Sequence, residues 1–210
     1  MNNHCHAQIL AELARLYPAP KPELHFSNPY ETLVATMLSA QCTDRQVNLV
    51  TPAVFRDFPT AADMAKITPE ILYPYVKSCG FKSKAVNIVS ACKIICEKHG
   101  GQVPDTLEEL TALPGVGRKT ANVVLANAFG VPAFAVDTHV QRVSNRLGLV
   151  QSTSPEKTEQ QLTSAIPPAE WNNTHHRLIY HGRRVCHAGR PDCEHCTLKN
   201  LCDYHQKTEK

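Results

Sequence analysis

Four cysteines near the end of the chain constrain its folding more than any other feature of the sequence. They are Cys186, Cys193, Cys196 and Cys202, and their spacing is C-x6-C-x2-C-x5-C. Four thiolates within seventeen residues can surround one metal centre. The segment 186–202 is therefore expected to fold as a single loop around such a centre.

The spacing favours an iron–sulfur centre over zinc. Zinc ribbons usually bring two C-x2-C pairs separated by a longer loop, and this cysteine group has one such pair. Four thiolates in one compact loop suit a cubane [4Fe–4S] cluster. The chain has nine cysteines, an odd number in a clustered arrangement, which indicates metal binding rather than a disulfide framework. A zinc ion and four thiols without metal remain as alternatives.

Basic residues accompany the cysteines. The formal net charge is +3, and residues 175–210 hold seven Lys and Arg against four Asp and Glu, which accounts for the whole surplus. Arg190 lies between the first two cysteines, where a loop pinned by metal would hold its side chain outward to contact a phosphate. The alternative is that Arg190 and its basic neighbours only neutralise the negative charge of the cluster.

Helix signals recur along the whole chain. Residues 28–31 (Asn-Pro-Tyr-Glu) combine an N-cap, a proline at the first helical position and an acidic first turn, and Thr43 and Thr106 begin capping boxes. Apolar residues between 82 and 99 recur at helical spacing until a Gly-Gly pair ends them. No segment shows the sustained alternation of a strand. We therefore expect an all-α fold of about ten short helices, with a frayed tail after Tyr204.

A glycine-rich block at residues 113–121 (Leu-Pro-Gly-Val-Gly-Arg-Lys-Thr-Ala) is the second specific motif. Gly115 and Gly117 permit a tight turn with exposed backbone amides, and amides that lead into a helix N-terminus form an anion site. The block lacks the spacing of a nucleotide-binding P-loop, and no strand precedes it. The motif predicts a helix–hairpin–helix that holds the DNA backbone without reading its sequence.

Lys119 and Asp137 are the candidate catalytic residues. Lys119 falls in the first turn of the helix after the hairpin, where the helix dipole disfavours a cation, and a neutral lysine can act as a nucleophile. Asp137 stands eighteen residues later at the expected N-cap of another helix, where the dipole favours the carboxylate. A solvated surface lysine and an ordinary N-cap aspartate are the alternative interpretations.

In combination, these motifs resemble the endonuclease III family of helix–hairpin–helix DNA glycosylases. The similarity rests on the hairpin block, on Leu-Ser-Ala-Gln at 38–41, on Val-Asp-Thr-His at 136–139 and on the four spaced cysteines. It covers nearly the whole chain, with the motifs in the same order.

The resemblance implies two α-helical domains with the active site in a cleft between them. One would be a helical barrel at residues 22–132 that contains the hairpin. The other would join residues 1–21 to residues 133–210 and carry the [4Fe–4S] loop.

The resemblance also implies base excision repair. Lys119 would attack C1′ of a flipped nucleotide, displace an oxidised pyrimidine and form an imine that permits β-elimination at the abasic site, while Asp137 would stabilise positive charge on the sugar. Gln41 would fill the gap left by the flipped base. Phe81 would be the intercalating wedge, in a loop one residue shorter than the family pattern. The remaining expected DNA contacts are Gly115, Gly117, Arg118, His139 and Arg190.

The expected partner is double-stranded DNA with damaged pyrimidines or abasic sites, bound by a monomer. No stretch approaches the ~20 apolar residues of a membrane span, and the first residues lack the features of a signal peptide, so a cytoplasmic location is expected. The resemblance further implies a bacterial protein that associates with the nucleoid. Three other functions stay open: an adenine-excising glycosylase, a non-catalytic DNA-binding module and a small electron carrier. Lys119 argues against the first, and the pairing of Lys119 with Asp137 argues against the second. A carrier would not need so large a helical body or so many cations around one cluster, which argues against the third.

Overall fold

A computed structural model describes residues 3–208; the first two and last two residues of the expected second domain lie outside this range. Within it the chain is all-α, as predicted, and contains no β-strand. Three single-turn 3-10 helices occupy Lys77–Cys79, Pro168–Glu170 and Lys199–Leu201. The twelve α-helices of the described residues are α1 Asn3–Leu16, α2 Pro29–Ser39, α3 Asp44–Asp57, α4 Ala61–Ala65, α5 Pro69–Val76, α6 Lys82–His99, α7 Leu107–Thr111, α8 Arg118–Ala128, α9 Thr138–Leu147, α10 Pro155–Ala165, α11 Trp171–Arg184 and α12 Asp203–Thr208.

Side-chain caps fix many of the helix starts. The hydroxyls of Thr43 and Thr106 accept hydrogen bonds from the amides three residues later, at 3.2 and 3.3 Å, as the capping boxes predict. Each bond satisfies an amide that has no partner within the helix. Thr60 caps the short helix α4 in the same way at 3.1 Å, and this helix is one of those beyond the expected ten.

The expectation of a frayed C-terminal tail is wrong over the described residues, because α12 continues to Thr208. The guanidinium of Arg146 lies 4.6 Å from the ring centroid of Tyr204 and anchors the start of this helix. The contact joins residues far apart in sequence, so local composition could not reveal it.

The chain divides into two compact units, Met1–Lys21 with Pro132–Lys210, and Pro22–Val131. In the first unit α1, α9, α10 and α11 meet around a core that includes Leu13, Phe134, Val140 and Leu178. Leu198 joins the same core from the cysteine segment, so that segment is held by apolar burial as well as by any metal.

The second unit contains α2 to α8. Its central helix is α2, which contacts α3, α6 and α8 and is buried along almost its whole length. Leu38, in the last turn of α2, is fully buried, whereas Gln41 three residues later is exposed. The core thus holds the end of α2 and presents the following residues at the surface. Among residues 3–208 no helix is long and apolar enough to cross a membrane.

Candidate functional site

The glycine-rich block forms the turn between α7 and α8, as a hairpin requires. Gly115 has φ +76°, and a Cβ there would lie 2.7–2.9 Å from side-chain atoms of Asn87, so no other residue fits without displacement. Gly117 differs, because its φ is −87° and a Cβ there would meet nothing within 4 Å. Within the described residues, neither backbone conformation nor packing demands glycine at this position. Glycine is a common N-cap residue, and the open space beside Gly117 leaves room for an outside group to approach.

Lys119 is the second residue of α8, and its side chain is exposed. The preceding N-cap is Gly117, which offers no side-chain cap to the first amides of α8. Without a side-chain cap, the positive end of the helix dipole at these amides is suited to an anion. Arg118, at the first position of the helix, is exposed beside them. The hairpin joins an anion site to an accessible amine.

Asp137 is the N-cap of α9, as predicted from the sequence. One of its carboxylate oxygens, Oδ1, accepts a hydrogen bond from the amide of Val140 at 2.8 Å, and the side chain is half-buried. The buried, non-helical segment 133–136 leads into this position. A carboxylate here is held by its own helix, while its second oxygen is not needed for the cap.

Two buried histidines of α11 adjoin the segment that carries Asp137. His175 donates from Nδ1 to the carbonyl oxygen of Ala135 at 2.8 Å, and its ring lies 4.8 Å from that of His176. Burial lowers the pKa of His176 to about 3, with a further contribution from His175, while Asp137 opposes the shift. His176 is therefore neutral at physiological pH. The sequence interpretation assigned neither histidine a place at the site.

His139 lies in the first turn of α9 and is half-buried. Its Nδ1 accepts a hydrogen bond from Arg142 at 3.1 Å, which leaves Nε2 to carry the proton. Burial lowers the pKa of His139, and the Asp137 charge opposes that effect. Arg142 also donates to the carbonyl oxygens of Gly182 and Cys186 at 3.0 Å. The helix that begins at Asp137 is thereby tied to the first cysteine of the cluster.

Gln41, Phe81 and Gly115, three of the predicted DNA contacts, line one open pocket together with Lys84 and Asn87, and its volume is about 570 Å³ with the open mouth included. Phe81 is 70% exposed, which is unusual for an aromatic side chain of this size. Neither Lys84 nor Asn87 was singled out from the sequence.

Gln41 has an uncommon backbone conformation. Its φ of +54° makes it the one non-glycine residue with positive φ in the described part of the chain. Such conformations cost about 1–3 kcal/mol and cluster at functional sites. The backbone therefore supports a functional interpretation of Gln41, independently of any family resemblance.

The four clustered cysteines line one cavity of about 320 Å³, its open mouth included. None of them is in a disulfide. Burial raises the pKa of the Cys196 and Cys202 thiols. Within residues 3–208 no group of three or more His, Cys, Asp or Glu side chains is placed to hold a single metal ion. The thiols instead share the walls of one cavity that is open on one side.

Polar groups from α9 and α11 reach these sulfur atoms. Arg146 donates to Cys186 Sγ at 3.4 Å and to the carbonyl oxygens of the next two residues at 2.7 and 2.8 Å. His181 Nε2 lies 3.6 Å from Cys196 Sγ, and burial lowers the pKa of His181 to about 4. The sequence interpretation had named neither side chain. Arg146 precedes the cluster by forty residues, so only the fold brings it to Cys186.

Arg190 extends from the loop between the first two cysteines and is exposed, and it lines a shallow depression with residues 191–194. The structure therefore places this cation at the surface beside the cluster loop. Lys119 and the pocket of Gln41 belong to the unit Pro22–Val131, whereas Asp137, His139, Arg190 and the cysteines belong to the other unit.

Comparison with known proteins gives consistent matches. A family model described as the HhH-GPD superfamily of base excision DNA repair proteins matches residues 34–168. Endonuclease III of Synechocystis sp. is 49% identical over 197 residues, which cover 93% of this chain and 90% of that protein. Endonuclease III of Escherichia coli is 43% identical over 210 residues and is covered completely. A solved structure of a trapped endonuclease III–DNA covalent intermediate superposes with a TM-score of 0.95, at 44% identity and full coverage of both chains.

Proposed function

Because this chain belongs to the endonuclease III family of HhH-GPD base excision DNA repair proteins, we propose that it removes oxidised pyrimidines through Lys119 and Asp137. The chain is a DNA N-glycosylase and abasic-site lyase, which binds DNA as its substrate. The observation that carries the residue assignment is the exposed amine of Lys119, directly behind an uncapped hairpin that suits a phosphate.

In the proposed reaction the Lys119 amine attacks C1′ of a flipped nucleotide. The bond between C1′ and the base breaks, and the base leaves with its electron pair and takes up a proton. The nitrogen loses a proton, the C1′–O4′ bond breaks and O4′ takes up a proton, which opens the sugar ring and leaves an imine between C1′ and Lys119. The imine makes a proton at C2′ acidic, and its removal expels the 3′ phosphate by β-elimination.

Asp137 supplies the negative charge in this proposal. Its cap bond to Val140 uses one oxygen and fixes the carboxylate, so the other oxygen can face a positively charged sugar. Positive charge develops on the sugar ring as the base departs. A preoriented carboxylate stabilises that charge more in the transition state than in the ground state, which is the condition for catalysis.

DNA contacts are assigned to both units. Gly115 and Gly117 shape a hairpin whose amides bind a backbone phosphate, with Arg118 beside it. Gln41 fills the gap left by the extruded nucleotide, and the exposed ring of Phe81 inserts between base pairs. Two further contacts belong to the cysteine-bearing unit: His139 contributes the Nε2 proton of its neutral ring, and Arg190 contributes a surface cation.

The cysteine cavity fits a [4Fe–4S] cluster. A single zinc ion needs its sulfur ligands about 2.3 Å from one point, whereas a cubane occupies a space between four thiolates. The ligands would be Cys186, Cys193, Cys196 and Cys202, and the cluster would fix the loop that carries Arg190. Arg146 and His181, which reach two of these sulfur atoms, would offset the added negative charge by hydrogen bonding.

We assign the two compact units to a helical barrel domain at residues 22–132 and a cluster domain formed by residues 1–21 and 133–210. The protein acts as a monomer on double-stranded DNA in the bacterial cytoplasm, where it associates with the nucleoid. Damaged pyrimidines and abasic sites are its substrates.

A duplex that carries one thymine glycol tests the function. We expect the purified protein to release the free base and to nick the same strand, measured by chromatography and by denaturing electrophoresis. An undamaged duplex of the same sequence is the control and should remain intact. Binding of the damaged duplex without base release or nicking would contradict the assignment of an oxidised pyrimidine.

Iron analysis tests the cofactor. The protein as isolated should be yellow-brown and contain about four irons per chain, because four thiolates ligate a cubane. Replacing Cys193 by serine should lower the iron content and the visible absorbance, whereas Cys92→Ser, outside the cluster, should not. A colourless protein with one zinc per chain would overturn the assignment.

A further inference from the structure

Lys84 has two backbone partners from different parts of the chain. Its side chain is half-buried at the third position of α6, and its ammonium donates to the carbonyl oxygen of Leu38 at 2.7 Å and to that of Cys79 at 2.6 Å. Hydrogen bonds from an ionised donor are about twice as strong as those between neutral groups. The two contacts are separated by 46 and 5 residues in sequence, so only the fold brings them to one ammonium.

The placement opposes one helix dipole and complements another. A cation in the first turn of α6 is disfavoured by that helix, as it is for Lys119 in α8. Leu38, however, lies in the last turn of α2, where carbonyl groups lack helical partners and the dipole is negative. Lys84 therefore acts as a side-chain cap on the C-terminus of α2.

The two carbonyl groups lie directly before the two loops that carry expected DNA contacts. Leu38 precedes Gln41 by three residues, and Cys79 precedes Phe81 by two. The backbone departs from helical geometry in both loops, with φ +54° at Gln41 and +119° at Gly80. Lys84 also lines the pocket that Gln41 and Phe81 share. One ammonium group thus contacts the backbone at the start of both loops.

We propose that Lys84 is a positioning residue that fixes the separation of Gln41 and Phe81, so that gap filling and wedging occur at adjacent steps of the duplex. This inference rests on the proposed roles of Gln41 and Phe81. Two side chains that enter one distorted duplex must keep a fixed separation, because misplacement by about 1 Å can cost a hundredfold in rate. Lys84 does not touch the reacting atoms and acts only through the two loops.

Lys84 is not the sole link between the chain around Gln41 and the chain around Phe81. Gln46 Nε2 donates to Ser78 Oγ at 2.9 Å, and the thiols of Cys42 and Cys79 are hydrogen-bonding neighbours. Replacing the ammonium should therefore make the separation of Gln41 and Phe81 more variable without unfolding the unit. This property makes the inference testable in the intact protein.

The test compares a duplex abasic site with the same site in single-stranded DNA. A single strand has no opposite base and no stack to open, so it bypasses the work assigned to Gln41 and Phe81. We expect Lys84→Met to lower the single-turnover nicking rate on the duplex by about tenfold or more, and on the single strand by less than about twofold. Fluorescence of 2-aminopurine opposite the site should show weaker unstacking with the variant.

Lys93→Met is the matched control, because Lys93 is an exposed lysine of the same helix. It should behave as wild type on both substrates. Equal rate losses on duplex and single strand for Lys84→Met, or wild-type rates on both, would overturn the inference. Failure of the wild-type protein to nick either substrate would instead overturn the proposed function, so the two failures are distinguishable.

Discussion

Replacing Lys119 by alanine is expected to lower both base release and strand nicking by at least about 10³-fold, because it removes the proposed nucleophile. DNA affinity and thermal stability should change little, since the side chain is exposed. The measurement is a single-turnover assay on a duplex with one thymine glycol, accompanied by a binding titration and a melting curve.

Lys157→Ala is the matched control for this prediction. Lys157 is also an exposed lysine in the first turn of a helix, in α10, so the substitution makes the same chemical change at a helix start away from the hairpin. It should leave both rates unchanged. Base release by Lys119→Ala at the wild-type rate would show that Lys119 is an ordinary surface lysine.

Replacing Asp137 by asparagine is expected to lower base release by about 10²- to 10⁴-fold, the range for loss of an acid–base or charge-stabilising group. Asparagine caps helices as well as aspartate does, so the bond from the amide of Val140 and the stability should persist. The substitution therefore removes charge and retains the cap. The rate is measured with a damaged duplex and the stability with thermal unfolding.

Asp137→Ala completes the comparison between the helix-cap role and the charge role of Asp137. It removes cap and charge together, so it should also destabilise the protein by about 1 kcal/mol, the usual cost of losing an N-cap. If Asp137→Asn released the base at the wild-type rate and only the unstable alanine variant lost activity, Asp137 would act as a helix cap and not through its charge.

Local signals account for what the sequence predicts well. The caps at Thr43 and Thr106, the N-cap role of Asp137 and the turn at Gly115 depend on residues within a few positions of one another. The shared cavity of the cysteines also follows from spacing, because a short loop cannot carry its thiols far apart.

Long-range contacts account for what the sequence does not predict. Arg142 and Arg146 reach the cysteine segment from about forty residues away, and Lys84 reaches Leu38 across 46. Each is a basic residue that, in sequence, resembles any solvated surface charge. The positive φ of Gln41 is likewise invisible, because no glycine marks it.

The most direct test of the account is borohydride trapping on a duplex with one thymine glycol, followed by peptide mapping of any covalent protein–DNA adduct. The proposed mechanism predicts an adduct with wild type, linked through Lys119, and none with Lys119→Ala. Free base released without an adduct would mean that water is the nucleophile, and an adduct through another residue would mean that a different amine attacks the sugar; either result would contradict the assignment of Lys119.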